Sequence, residues 1–270
     1  MQYVVVGMVV LSALLHVGWN LSMRGHAGSL RFVWWLTLFG GIAATGLMVA
    51  LRIPLHFSQV WPWLSGTIAI HVIYFLGLAR SYGDAALADV YPATRGVGVL
   101  GTTLLAALLF HERLPWITLL GVMAVSLLVI VPARKARWQP RTIVWALSVA
   151  VAIAAYSVVD SHGVRLLSPI PYIACQFLGA CAILTPWAWR DRARCDKRVA
   201  LGAGLMSVAS YLLILYAYQR TSAAPVLALR QIGIALAPWA GWLILKERVR
   251  RDAWWISLGI TIASVLIVLG

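Results

Sequence analysis

Long apolar segments recur along the whole chain and limit its possible folds more than any other feature. Of the 270 residues, 62% are hydrophobic and 11% are charged. The apolar runs are about 20 residues long, enough for a helix to cross the hydrocarbon core of a bilayer, and they lack the alternation of a barrel strand. The sequence therefore predicts an all-α integral membrane protein with ten transmembrane helices. Their predicted bounds are 3–21, 30–51, 60–80, 85–110, 115–132, 142–162, 169–189, 199–219, 222–245 and 253–269.

The basic residues indicate membrane topology rather than nucleic-acid binding. The formal net charge is +14, but the 22 Lys and Arg lie mostly in short clusters between apolar runs. Sixteen of them follow the odd-numbered predicted helices and four follow the even-numbered ones. By the positive-inside rule we expect a multi-pass inner-membrane protein with both termini outside. The three cysteines imply no disulfide framework, and no Cys/His cluster has the spacing of metal ligands.

An internal repeat divides the chain into two halves. His-Glu-Arg at 111–113 matches Lys-Glu-Arg at 246–248, and the same offset of 135 residues relates Arg95 to Arg230. Five helices in each copy, an odd number, force the second copy to enter the membrane in the opposite orientation. We therefore expect two inverted five-helix repeats with a binding site at their interface. The expected divisions are 1–133 for the first repeat, 134–141 for a basic loop and 142–270 for the second repeat.

Three short motifs resemble the EamA branch of the drug/metabolite transporter superfamily. They are His-Val-Gly-Trp-Asn at 16–20, Tyr-Pro-Ala-Thr-Arg-Gly at 91–96 and Leu-Lys-Glu-Arg at 245–248. The resemblance covers the whole chain and implies a ten-helix transporter of small metabolites, often moving them outward. The motif at 91–96 is also similar to family members associated with phosphonate utilisation. Neither the substrate nor the choice between monomer and homodimer follows from it.

Two arginines are the first candidates for substrate contacts. Arg95 and Arg230 fall inside predicted membrane helices, where a charged group normally faces the bundle interior. A guanidinium group binds a carboxylate, phosphate or phosphonate through two parallel charge-assisted hydrogen bonds. The alternative is structural, because either arginine can extend toward the membrane interface or pair with helix-end carbonyls or a nearby carboxylate.

Asp160 is the clearest acidic residue inside a predicted membrane helix. It lies near the end of the sixth helix, where the repeat aligns it with Asn20. One hypothesis is that it binds a substrate amine or carries a coupling proton. The other is that it pairs with an arginine (Arg95, Arg165 or Arg230) or lies at the membrane interface.

Further polar side chains share helix faces that we expect to point inward. Ser12, His16 and Asn20 recur every four residues on the first helix, while His71 and Tyr74 share a face of the third. Each histidine fits a hydrogen-bonded interior residue better than a proton carrier. The predicted substrate-binding residues are Arg95, Arg230, His16, Trp19, Asn20, His71, Tyr74, Tyr91, Tyr156 and Asp160.

These features favour a secondary transporter that exports a small anionic or zwitterionic metabolite, such as an amino acid or a related acid. Its expected partners are the lipid bilayer and a small-molecule substrate, with proton coupling left open. The alternative within transport is a proton-coupled exporter of cationic drugs. An intramembrane enzyme is the alternative of another class, but no nucleotide loop, catalytic triad or cofactor motif is present in the sequence. We therefore expect no catalytic residues and no cofactor.

Overall fold

The computed structural model of the protein describes residues 1, 3–22, 26, 28–57, 59–84, 87–130, 139–236 and 251–270, of which 82–84 and 87–91 are described by their backbone alone. Within these ranges the chain forms ten α-helices. They are α1 (Tyr3–Ser22), α2 (Leu30–Ala50), α3 (Trp61–Asp84), α4 (Leu87–Phe110), α5 (Trp116–Ile130), α6 (Pro140–Leu166), α7 (Pro169–Arg190), α8 (Lys197–Tyr218), α9 (Ala223–Arg230) and α10 (Arg251–Leu269).

Eight of these helices are long and apolar enough to cross a membrane, as a multi-pass membrane protein requires, whereas α5 and α9 are shorter. Two helices run beyond their predicted ends, α3 to Asp84 and α6 to Leu166. Arg165 therefore lies within α6 rather than after the end of the sixth predicted helix. Hydrophobicity marks the part of a segment that suits lipid, whereas the backbone hydrogen bonds of a helix continue past that part.

Local sequence explains where several helices begin. The Ser29 hydroxyl caps α2 by accepting a hydrogen bond from the Phe32 N–H, and Asp196 caps α8 in the same way. Pro140 and Pro169 stand at the first positions of α6 and α7, where a missing N–H costs nothing. α9 is interrupted at Gln231, immediately after Arg230, and residues 232–236 are helical again.

The helices pack mainly between the two halves of the sequence. α2 packs on α7, α3 on α6, α1 on α8 and α5 on α10, while α6 also contacts α4. The outside of the bundle is apolar, unlike the surface of a soluble protein, and its interior is polar in places. Ser12, Thr102 and Ser210 are 0% exposed, whereas Leu108 is 63% exposed and Trp189 is 76% exposed. The polar interior lies where α1, α3, α6, α8 and α9 meet.

Candidate functional site

A small cavity lies at the meeting point of both halves of the chain. Its walls come from α1, α3, α6, α7, α8 and α9, and its volume is about 30 Å³. A space of that size holds one or two water molecules. The lining residues are His16, Trp19, His71, Tyr74, Phe75, Tyr156, Gln176, Phe177, Ser207, Tyr211 and Arg230.

Arg230 provides the positive charge in the cavity wall. Its side chain is buried at the last residue of α9, and Nη2 lies 2.8 Å from the Ser210 hydroxyl and 2.9 Å from His16 Nδ1. The guanidinium carbon also lies 5.9 Å from the centre of the Tyr211 ring. Ser210 in turn donates to the Ser12 carbonyl oxygen at 2.9 Å. Arg230 is therefore held by α1 and α8 rather than extended toward the surface of the bundle.

The hydrogen bonds around His16 define its protonation state. The Trp19 indole N–H donates to His16 Nδ1 at 3.0 Å, and Arg230 approaches the same nitrogen. Indole and guanidinium groups only donate, so Nδ1 must be the acceptor and the ring is neutral with its proton on Nε2. Asn20 lies behind this pair and donates to the His16 carbonyl oxygen at 2.8 Å. His16 thus orients the arginine and does not add a second positive charge.

Arg95 is buried one layer behind the cavity. It is 2% exposed, and its Nη2 donates to the Tyr74 hydroxyl at 2.9 Å. Its guanidinium carbon also lies 5.8 Å from the centre of the Tyr74 ring. Because Tyr74 lines the cavity and Arg95 does not, the tyrosine separates this arginine from the cavity.

Asp160 is held by hydroxyl groups on three other helices. It is 0% exposed and accepts hydrogen bonds from Tyr172 at 2.8 Å, from Tyr211 and from Thr67. Tyr211 lines the cavity, so one residue connects this carboxyl group to the site. Arg165, one of the arginines considered as its partner, is exposed on α6.

Aromatic rings form most of the remaining wall. The His71 ring lies 4.4 Å from Tyr156 and 5.8 Å from Tyr211, measured between ring centres. Its Nδ1 lies 2.9 Å from the Thr67 carbonyl oxygen, an acceptor only, so this nitrogen carries the proton and Nε2 is the acceptor. The site therefore offers apolar ring faces with a few polar groups placed among them, as small-molecule sites commonly do.

The structure brings six of the predicted residues together around one cavity and places others behind it. His16, Trp19, His71, Tyr74, Tyr156 and Arg230 line the cavity. Arg95, Asn20 and Asp160 contact lining residues without lining it themselves. The side chain of Tyr91 lies outside the described residues, as does the 245–248 motif.

Sequence reasoning missed three polar residues that line the cavity, Gln176, Ser207 and Tyr211, and two apolar ones, Phe75 and Phe177. Uncharged polar residues and tyrosines are common in membrane helices, so none of the three is conspicuous in an apolar run. The one available signal for Tyr211 was its position near Ser210 and Ser207, which forms a short polar stretch in α8.

Few charged side chains are buried in the described part of the bundle. Among the residues that the structure describes, the buried charged side chains are Arg95, Arg230 and Asp160. A guanidinium group stays charged inside proteins, so both arginines carry a positive charge in the interior of the bundle. Arg230, which lines the cavity, attracts an anionic group that enters it.

Comparisons with known proteins agree with this architecture. Residues 140–270 match the model of the EamA-like transporter family. A solved structure described as "Crystal structure of protein" superposes with a TM-score of 0.73 over 98% of this chain and 95% of that chain, at 16% identity. At that identity the likeness shows the fold alone. No curated protein matches the chain significantly.

Proposed function

Over residues 140–270 the chain belongs to the EamA-like transporter family, and on this basis we propose that it is a secondary transporter that exports a small anionic or zwitterionic metabolite by alternating access. The substrate binds in the central cavity, as an amino acid or related acid would. The protein resides in the inner membrane with both termini outside, as the distribution of basic residues favours. Because the family consists of transporters, an intramembrane enzyme is disfavoured.

Equivalent contacts in the two halves support an inverted repeat. α3 of the first half packs on α6 of the second half. In a five-helix repeat α8 is the equivalent of α3, and α1 is the equivalent of α6. These two helices also pack on each other. Arg95 donates to a hydroxyl on α3, and Arg230 donates to a hydroxyl on α8. An inverted repeat allows one half to rock against the other, which exposes a site between them to each side of the membrane in turn.

The position of Arg230 carries the substrate assignment. It lines the cavity, it is buried, and it contacts His16 and Ser210. A guanidinium group has five N–H donors arranged in a planar fork that matches the two oxygens of a carboxylate. Desolvation inside the bundle strengthens such a pair relative to one in water.

The aromatic walls and Asp160 favour a second candidate, a proton-coupled exporter of cationic drugs. Tyrosine, tryptophan and phenylalanine faces can bind an organic cation, and Asp160 can accept a proton. This candidate does not explain why a buried arginine lines the same cavity, because that arginine would repel the cation. We therefore place it second.

Uptake and exchange in proteoliposomes test the proposal across amino acids, organic acids, phosphonates and cationic dyes. We expect transport of an anionic or zwitterionic solute that falls about tenfold or more in Arg230→Gln, because a charge-assisted hydrogen bond is worth roughly 1.5–3 kcal/mol. Arg95→Gln should reduce it less, since Arg95 lies behind Tyr74. The matched control is Arg165→Gln, an exposed arginine on α6. Dye transport that is unaffected by Arg230→Gln would instead establish the second candidate.

Proton coupling is tested separately at Asp160. If this carboxyl group carries the coupling proton, Asp160→Asn should abolish the stimulation of transport by an imposed pH gradient while exchange without a gradient continues. Tyr172→Phe, which removes one hydroxyl donor and leaves the carboxyl group in place, is the control and should keep the response to the gradient. An Asp160→Asn variant that still responds to the gradient would exclude Asp160 as the coupling group.

A further inference from the structure

Gln176 on α7 places a buried amide group in the cavity wall. It is 1% exposed and lines the cavity. Neither its amide nitrogen nor its amide oxygen has a hydrogen-bond partner in the described structure. Buried polar atoms nearly always have partners, so an amide with both atoms unsatisfied indicates a missing ligand or water.

The packing around Gln176 does not explain its presence. Its neighbours Phe177 and Ala174 are buried apolar residues of the same helix, where an apolar side chain of similar size would avoid the cost of desolvating an amide. A water molecule in the cavity can satisfy the amide while the site is empty, and a substrate that displaces this water must replace its hydrogen bonds. The amide therefore restricts which substrates bind well.

We propose that Gln176 is a specificity-determining residue that recognises a planar amide group on the transported acid. The inference rests on the proposed function, in which Arg230 holds the acidic group of the substrate. The Gln176 amide presents an N–H donor and an acceptor oxygen side by side in a single plane. A primary or cyclic amide satisfies both atoms with two parallel hydrogen bonds, whereas an ester or ketone satisfies only the donor and leaves the oxygen unpaired.

The rest of the wall suits a planar group of this kind. Phe177 follows Gln176 in the chain and also lines the cavity, together with Tyr156 and Trp19. Their ring faces can stack on a flat amide, which is less costly to desolvate than a second charged group. A substrate with a carboxylate at one end and an amide at the other would therefore pair with both Arg230 and Gln176.

Matched acids in proteoliposomes test this inference. Succinamate carries a primary amide, pyroglutamate carries a cyclic amide, and 4-oxopentanoate replaces the primary amide with a methyl ketone of similar size. We expect at least one of the two amides to be transported with a KM about tenfold or more below that of 4-oxopentanoate, because the ketone leaves a buried acceptor unsatisfied. Preference for succinamate or for pyroglutamate then distinguishes a primary from a cyclic amide.

Gln176→Met removes both hydrogen-bonding atoms and keeps a similar shape. We expect it to bring the KM ratio of amide to ketone close to one, and to keep or raise the melting temperature. If Gln176 had only a structural role, Gln176→Met would change the stability and leave the KM ratio of amide to ketone unaltered. Thr142→Val is the matched control, because Thr142 on α6 is also buried with an unsatisfied hydroxyl but does not line the cavity. This control should keep the wild-type ratio.

The outcomes separate the inference from the function on which it rests. If acids are transported in an Arg230-dependent manner without any preference for amides, or if Gln176→Met keeps the preference, the role of Gln176 is wrong and the transporter assignment stands. If no anionic or zwitterionic solute is transported, the proposed substrate class fails, and the inference fails with it.

Discussion

Arg95 and Arg230 make the same hydrogen bond in the two halves of the chain. Each donates from Nη2 to a hydroxyl on the long helix before it, Arg95 to Tyr74 at 2.9 Å and Arg230 to Ser210 at 2.8 Å. The partners precede their arginines by 21 and 20 residues. The difference lies in the size of the partner, since a tyrosine ring covers Arg95 and a serine leaves Arg230 at the cavity. The two arginines thus differ in their position relative to the cavity.

His16 should control transport through its contact with Arg230. His16→Leu removes the acceptor at Nδ1 and leaves the buried guanidinium without that partner, which costs roughly 1.5–3 kcal/mol. We expect the KM for the transported acid to rise about tenfold or more. His16→Asn places an amide oxygen close to the position of Nδ1 and should recover most of the loss. An equal rise in KM in the two variants would show that transport does not depend on a hydrogen-bond acceptor at this position.

Trp19→Phe provides a control for the same contact. It removes the indole N–H that shares His16 Nδ1 but leaves the acceptor available to Arg230. Its effect on KM should therefore be smaller than that of His16→Leu, and proteoliposome uptake compares the two directly.

The packing of α5 on α10 should depend on Gly121. A Cβ atom at this position would lie 2.7 Å from the Ala263 carbonyl oxygen and 3.0 Å from the Ile267 nitrogen, both backbone atoms that cannot rotate away. Gly121→Ala should lower the free energy of unfolding by about 1–3 kcal/mol. The control is Gly46→Ala on α2, where nothing lies within 4 Å and the change should be neutral or stabilising. Unfolding in detergent micelles measures both, and equal stabilities would contradict the close approach.

Asp191 should make stability depend on pH at the start of α2. Its carboxylate accepts hydrogen bonds from the Ser29 hydroxyl and the Arg31 N–H, both at 3.0 Å. Partial desolvation raises the pKa of Asp191, but these bonds and one from the Ala193 N–H outweigh it, so the pKa lies below its ordinary value of 3.8. A lowered pKa means that the folded protein favours the ionised form. The stabilisation is therefore complete at neutral pH and is lost as the pH falls below 3.8 through the lowered pKa.

Asp191→Asn tests that dependence. At pH 7 we expect the variant to unfold more easily than the native protein, by roughly 0.3–1 kcal/mol, the usual value of a carboxylate at a helix N-terminus. The difference should shrink as the pH is lowered toward 3, where the native carboxyl group is increasingly protonated. A difference in melting temperature that stays constant from pH 7 to pH 3 would show that the charge of Asp191 does not contribute.

The sequence predicted the helices well because a single physical property determines them. Length and hydrophobicity located the ten helices. The bounds differ chiefly at the ends of α3 and α6 and in the ninth segment, predicted as 222–245, which is interrupted at Gln231. The family was also predicted, and the match over residues 140–270 confirms it. The inverted repeat and the substrate remain proposals.

The candidate site was less predictable because its contacts join distant parts of the chain. Arg95 and Arg230 are conspicuous as charges in apolar segments, but nothing in the sequence shows that Tyr74 separates one of them from the cavity. The hydroxyl groups around Asp160 come from α3, α7 and α8, so only the packing of these helices reveals them. Gln176 carries no charge and belongs to no motif, and its unsatisfied amide is visible only in the folded protein.

The central claim, that substrate binds in one cavity opened alternately to the two sides, is tested most directly by cysteine labelling at Ser207. Ser207→Cys, with Cys175, Cys181 and Cys195 replaced by alanine, places a single thiol on the cavity wall. Ser65→Cys at the start of α3, outside the cavity, is the control.

We predict that membrane-impermeant thiol reagents label Ser207→Cys from either side of the membrane, and that the transported acid slows this labelling without affecting Ser65→Cys. Labelling of Ser207→Cys from one side only, or at a rate that no transported solute changes, would contradict the account.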